Sequence, residues 1–297
     1  MVENTTTNKL FAHKILFTRD IETIEKMKEE FLRVKNLTHK HLLKYHELFI
    51  DTMEGKVHLI MDYFAGKSLD SYIKGSNALP ENVLRNIFKK ILNVTAYLHL
   101  NGVVHRDIKP ENILIKPATL FSKAEVKLID FSVAAFLDVE QINSTISHDC
   151  LMSDRTGTMA YRAPETFNQM EYTEAVDVWA IGCTLFECTL GRRLVEKGNI
   201  TQLIKDKEMK SINSALLEHS KNRSKNLIDL IEKLLHVDPK QRITCAEALT
   251  HKWFVINQDM INASLTCAKR YSCLDIMTVY ETSIEFPCGR LRLKSFS

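Results

Sequence analysis

His105-Arg106-Asp107-Ile108-Lys109-Pro110-Glu111-Asn112 packs a carboxylate, an amine and a carboxamide into one short stretch. The apolar runs 103–105 and 112–116 on either side read as strand pieces, so the polar residues between them sit on a loop. Toward the C-terminus come Leu128-Ile129-Asp130-Phe131-Ser132, then Gly157-Thr158-Met159-Ala160-Tyr161-Arg162-Ala163-Pro164-Glu165. Asp177-Val178-Trp179-Ala180-Ile181-Gly182 and Asp238-Pro239-Lys240-Gln241-Arg242 follow. Toward the N-terminus lie Thr38-His39-Lys40-His41 and Phe11-Ala12-His13-Lys14.

The intervening pattern supplies a frame. Residues 9–17 alternate loosely and read as a strand. Apolar positions Ile21, Ile24, Met27, Phe31, Val34 and Leu37 step by three or four, which predicts an amphipathic helix from Ile21 to Leu37. Residues 42–50 and 56–63 read as strands around a turn at Met53-Glu54-Gly55. Pro80 opens a helix marked by Val83, Ile87, Ile91, Val94 and Leu98, and Asn101-Gly102 closes it. Ala175 to Leu190 is apolar nearly all round and should be a buried helix. Leu227 to Leu235 and Thr244 to Phe254 complete the compact part.

Composition excludes several classes. The 297 residues are 45% apolar and 26% charged, with only 9 Gly and 6 Pro, the profile of an ordinary globular chain. A net charge of +3 argues against a nucleic-acid binder held by phosphate contacts. The longest near-apolar stretch, Val178 to Leu190, contains Glu187 and is too short to span a bilayer, so no membrane partner is expected. The first residues show neither basic flank nor apolar core of a signal peptide. The seven cysteines are scattered without C-x-x-C spacing and read as reduced thiols. Together these predict a cytoplasmic protein, with the nucleus also open to it.

Taken in order, the quoted strings resemble those of the eukaryotic protein kinases, serine/threonine type, over residues 9–254. The general style is closest to calcium/calmodulin-dependent-type kinases, although no basic amphipathic calmodulin-binding helix stands out in the tail. The resemblance implies an α+β, two-lobed fold: a truncated β-rich N-lobe at 1–63, a mainly helical C-lobe at 64–254, and a tail of unknown structure at 255–297. It also implies ATP and Mg²⁺ as cofactors, protein substrates, and an upstream activating kinase.

Carried onto this sequence, Asp107 would accept or orient the proton of an attacking hydroxyl. Lys109 would place positive charge near the transferred phosphoryl group. Asn112 and Asp130 would hold Mg²⁺ through oxygen atoms. Lys14 would bind phosphates and be held by Glu30. Met61 would close the back of the adenine pocket, with Asp62, Tyr63, Phe64 and Ala65 as the hinge and Ala12 and Leu114 on the two adenine faces. Glu165 and Arg242 would form a buried ion pair. Arg106 would pair with a phosphate on the loop that carries Ser144, Thr145, Ser147, Ser153 and Thr156.

Three features depart from the family pattern. None of the thirteen residues before Lys14 is Gly, so the first strand and the glycine-rich, phosphate-covering loop are expected to be missing from these residues, either because they belong to a longer protein or because the protein lacks this lid. Ser132 replaces a Gly where left-handed backbone is permitted only reluctantly to other residues. Pro117 to Lys123 looks like an extra turn, and Asp130 to Glu165 is long. A pseudokinase acting as a binding or scaffold module is the alternative to an active enzyme.

Overall fold

The computed structural model describes residues 1–74, 78–116, 124–136, 157–167, 173–194, 223–255, 279–286 and 289–296. The strands are β1 (Val2–Asn4), β2 (Leu10–Phe17), β3 (Tyr45–Asp51), β4 (Lys56–Asp62), β5 (Lys67–Ser68), β6 (Val103–Val104), β7 (Ile113–Lys116), β8 (Glu125–Leu128), β9 (Ala135–Phe136), β10 (Val279–Phe286) and β11 (Gly289–Phe296). The helices described are α1 (Ile21–Lys35), α2 (Asp70–Ile73), α3 (Glu81–Leu100), α4 (Ala175–Leu190), α5 (Lys225–Leu234) and α6 (Cys245–Leu249). They fall into two compact units, Met1–Ala65 with Arg270–Ser297, and Gly66–Lys269.

The first unit is built on an antiparallel sheet of order β10-β11-β1-β2-β4-β3. Local chemistry sets its turns. Asn4 Oδ1 accepts from the backbone N–H groups of Thr6 and Thr7 at 3.0 and 2.9 Å, and Asn8 takes a left-handed φ of 54°, turning β1 into β2 without a glycine. Asp51 Oδ1 accepts from the N–H groups of Met53 and Glu54, and Gly55 at φ 66° completes the turn into β4. Asp20 caps α1 by accepting from Thr23 N at 2.9 Å.

Both faces of the sheet are covered at β4, where Val57, His58, Leu59 and Ile60 are all buried. Val2 and Ile60 form a small core with Phe11 and Phe49 packed against it. α1 packs on β3 through a face that includes Phe31 and Val34. It ends at Lys35, and Ile21, expected on the buried stripe, is 74% exposed.

Residues 279–296 lie in the tail that the sequence leaves without structure. They form the β10–β11 hairpin, and β11 pairs with β1 through Val2↔Leu293, Glu3↔Arg292 and Asn4↔Leu291. Three strands, β1, β11 and β10, thus lie on the side of the lysine-bearing β2 away from β4.

The second unit is mainly helical, so the α+β class holds. α3 and α4 are its core, and α4 is buried nearly all round, as its composition requires. Gly102 (φ 68°) and Gly191 (φ 72°) end these helices in the left-handed conformation. Thr244 and Glu247 form a reciprocal capping box on α6. The free thiols of Cys183, Cys188 and Cys245 are buried. No described helix is long and apolar enough to cross a membrane.

Candidate active site

The site is organised from beneath by Asp177, on the first turn of α4. Its fully buried carboxylate accepts from the backbone N–H groups of His105 and Arg106, both at 2.8 Å, and from His99 Nε2 at 3.0 Å. Burial alone would raise this carboxyl, but the donors outweigh burial and hold it below its usual range. Arg106 is thereby fixed at φ 65°, a costly conformation for a non-glycine residue. Its Nε donates to Val133 O at 2.6 Å. His105 is buried and kept neutral by its burial. Its Nε2 donates to Ile129 O at 3.0 Å, and its Nδ1 accepts from Asp107 N at 3.3 Å.

Asp107 is gripped at both oxygens. Oδ1 accepts from Thr158 N at 2.9 Å and from Thr158 Oγ1 at 2.7 Å. Oδ2 accepts from Lys109 Nζ at 2.6 Å and from Asn112 Nδ2 at 2.9 Å. Lys109 Nζ also donates to Thr158 Oγ1 at 2.6 Å. Gly157 makes the approach of Thr158 possible, since at φ 84° an added Cβ would lie 2.2 Å from Arg106 O.

Of the residues singled out in the sequence, Asp107, Lys109 and Asn112 are therefore joined by direct hydrogen bonds. Asp130 lies close to them in the ladder, because Ile129 N donates to Asn112 O at 3.0 Å. Asp130 itself takes φ 69°. Among the described residues, the non-glycine left-handed conformations are at Asn8, Arg106 and Asp130, and Ser132 is not one of them. Leu114 is half-buried on β7, opposite Lys127 and Ser68.

The remaining candidates belong to the first unit. Register places Ala12 opposite Met61 and Lys14 opposite Leu59, so Ala12, Lys14 and Met61 share one face of the sheet. Glu30 is half-buried on α1, and neither Lys14 nor Glu30 is without a partner. Asp62 ends β4 and accepts from His46 Nε2 at 2.8 Å. Tyr63, Phe64 and Ala65 follow outside regular secondary structure, at the boundary of the unit.

The donor chemistry suits Mg²⁺. Asn112 commits its amide nitrogen to Asp107, which leaves its carbonyl oxygen available, and this oxygen and the carboxylate of Asp130 are the groups that would hold the ion. The described residues hold no cluster of three or more His, Cys, Asp or Glu suited to a metal. One carboxylate, one carbonyl and substrate phosphates are the usual holding set for Mg²⁺.

Sequence reasoning left Thr158, Gly157, His105 and Asp177 out of the site. Each lies in a quoted string, but its role depends on contacts 24 to 78 residues away along the chain. The proposed phosphorylation positions Ser144, Thr145, Ser147, Ser153 and Thr156, and the turn at Pro117 to Lys123, lie outside the described residues. Glu165 and Arg242 do form the expected buried pair, at 2.7 and 3.0 Å.

The whole of residues 1–254 matches the protein kinase domain. Serine/threonine protein kinase OSK3 of Oryza sativa subsp. indica is 32% identical over 258 residues, which cover 84% of this chain and 46% of that protein. Serine/threonine-protein kinase H1 of Mus musculus is 31% identical over 255 residues, covering 86% and 57%. The crystal structure of the Rad53 kinase domain and SCD2 resembles the fold with a TM-score of 0.69 at 26% identity, covering 91% of this chain and 95% of that one. The chain spans about half the length of the curated relatives it matches. With the motifs in order, the Asp107 grip in place and this match over most of its length, the chain belongs to the protein kinase domain family.

Proposed function

We propose that this chain transfers the γ-phosphoryl group of ATP to serine or threonine hydroxyls of protein substrates. One observation carries the reading: Lys109 bridges Asp107 and Thr158, each at 2.6 Å, so a base, a cation and a hydroxyl converge at one point. An attacking hydroxyl there would donate to Asp107 and lie beside the Lys109 charge, which is the positioning that phosphoryl transfer needs. Lys14, Glu30, Ala12, Met61 and the 62–65 segment serve nucleotide binding in this reading, and Mg²⁺ held by Asn112 and Asp130 would neutralise phosphate charge. The serine/threonine choice rests on Lys109 and Thr158.

The finer assignments belong to the same proposal. The kinase is of the calcium/calmodulin-dependent-like type, and these 297 residues by themselves, with no glycine before Lys14, are expected to bind nucleotide weakly. An upstream kinase acts on the segment before Gly157, with Arg106 as a phosphate partner. The protein acts in the cytoplasm or nucleus, on proteins, with neither nucleic acid nor membrane as partner.

The test is phosphate transfer from Mg·ATP to a generic protein substrate, with Asp107→Asn as control. Transfer by the wild type that the control abolishes supports the reading. Nucleotide binding with no transfer, whatever the substrate, turns it toward the pseudokinase alternative.

A further inference from the structure

A ring of side chains closes around Asp107. Thr158 holds one of its oxygens, and three residues on, the Tyr161 hydroxyl donates to Glu187 Oε2 at 2.6 Å. Arg193 Nε lies 3.4 Å from Glu187 Oε1, and Arg193 Nη2 lies 3.3 Å from Glu111 Oε1. The guanidinium also sits over the Tyr161 ring, 5.6 Å from its centre. Glu111 adjoins Asn112, which returns to Asp107.

Two properties point to a ligand. The side chains of Arg193 and Glu111 are 45% and 39% exposed, so both are accessible to a ligand that arrives next to them. The ring also sets two carboxylates against one guanidinium, and Glu111 Oε2 is buried with no hydrogen-bond partner among the described residues. A basic side chain is the natural occupant of such a place. Here the occupant is the chain's own Arg193, tethered two residues beyond the left-handed Gly191 that ends α4.

We propose that Arg193 fills a carboxylate site beside the phosphoacceptor, so that this kinase selects peptides whose flanking side chains are uncharged and has no requirement for basic ones. The inference rests on the protein-phosphorylating reading for the identity of the ligand as a peptide. A substrate arginine would have to displace Arg193, exchanging one charge-assisted pair for another with little net gain. With Arg193 removed, Glu111 and Glu187 would lose their shared guanidinium, with Tyr161 still donating to Glu187, and the pair would attract a cation.

The test is equilibrium binding of fluorescent peptides, read by anisotropy, with alanine at the acceptor position. Each peptide carries either one Arg or one Ala at a given neighbouring position. The wild type is expected to bind the two forms within about threefold, and Arg193→Met to favour the Arg form by about tenfold or more. Adding Glu111→Gln to Arg193→Met should abolish that gain, and Glu111→Gln alone should leave the ratio unchanged. If Arg193→Met does not fold, judged by thermal unfolding, Arg193→Gln takes its place. A wild type that already favours Arg peptides about tenfold, an unchanged ratio in the Arg193 variants, or no binding of any peptide overturns the proposal. Turnover of the serine forms is read in parallel. The expected binding ratios with no turnover would sink the activity and leave this inference standing, while turnover with flat ratios would do the reverse.

Discussion

Asp107 is saturated before any substrate arrives. A carboxylate offers about four acceptor positions, and Thr158 N, Thr158 Oγ1, Lys109 Nζ and Asn112 Nδ2 take them all. A substrate hydroxyl must therefore replace one of these donors. Thr158 Oγ1 already donates to Asp107 and accepts from Lys109, the same two contacts an attacking hydroxyl needs, so it marks where that hydroxyl goes. Thr158→Val loses both this contact and the loop's anchor on Asp107. It is expected to lower kcat/KM about 10- to 100-fold, with Thr158→Ser within about threefold of the wild type, as read by steady-state peptide phosphorylation. Asp107, Lys109, Asn112 and Asp130 could be singled out in the sequence because they lie in short strings of fixed local spacing. The left-handed backbone at Arg106 and Asp130 was not, because nothing in those residue types asks for it. Asp177 enforces it at Arg106 from another element.

At the scale of elements, most helices and strands were legible from period and caps, and the first-unit sheet was legible only in part. β2 pairs with β4 over seven positions but with β1 over two. β11 then covers the other edge of β1, in a register that sets Glu3 against Arg292. The hairpin itself is paired along its whole length, from Val279↔Phe296 to Phe286↔Gly289. Deleting residues 270–297 is expected to strip hydrogen-exchange protection from the amides of Val2 to Asn4, while those of α3 and α4 keep theirs; mass spectrometry of exchanged peptides reads both.

The same sheet carries a pH response. His13 Nε2 lies 2.8 Å from His58 Nδ1, and burial, followed by His58 and the N-terminal amine, pushes the His13 imidazole down from 6.5 to about 4. The unfolded chain thus takes up this proton first. The contribution of His13 to stability is complete above pH 6.5 and is lost as pH falls from 6.5 toward 4. With solvent screening of the half-buried ring, about 1–2 kcal/mol is at stake. Thermal unfolding at pH 7 and pH 5 is expected to show a larger loss for the wild type than for His13→Gln.

Across the whole molecule, the second unit is tied together by contacts far apart in sequence. Arg242, whose side chain is fully buried, meets Glu165 with both nitrogens and donates to Ala175 O and His236 O as well. Its guanidinium lies over the Trp179 ring. Glu165→Ala would leave that charge buried without a carboxylate, at a cost of about 3–5 kcal/mol. In a unit of this size the unfolding midpoint should fall by about 10 °C. Glu81 plays a similar part, accepting from Ser224, Arg85 and Trp253. The first unit is closed differently, by a hairpin from the far end of the chain.

The sequence by itself determined the family, the α+β class and the helices with clear periodicity, because these depend on short spacings and local propensity. Only the tertiary structure decided three other matters: that Thr158 completes the Asp107 site, that Arg193 occupies the carboxylates beside it, and that residues 279–296 extend the first sheet. Each is a pairing between segments distant in sequence. Residue type and period say which groups can bond and which face is apolar, but a distant partner is chosen only when the chain closes on itself and every buried donor, charge and strand edge must be satisfied at once.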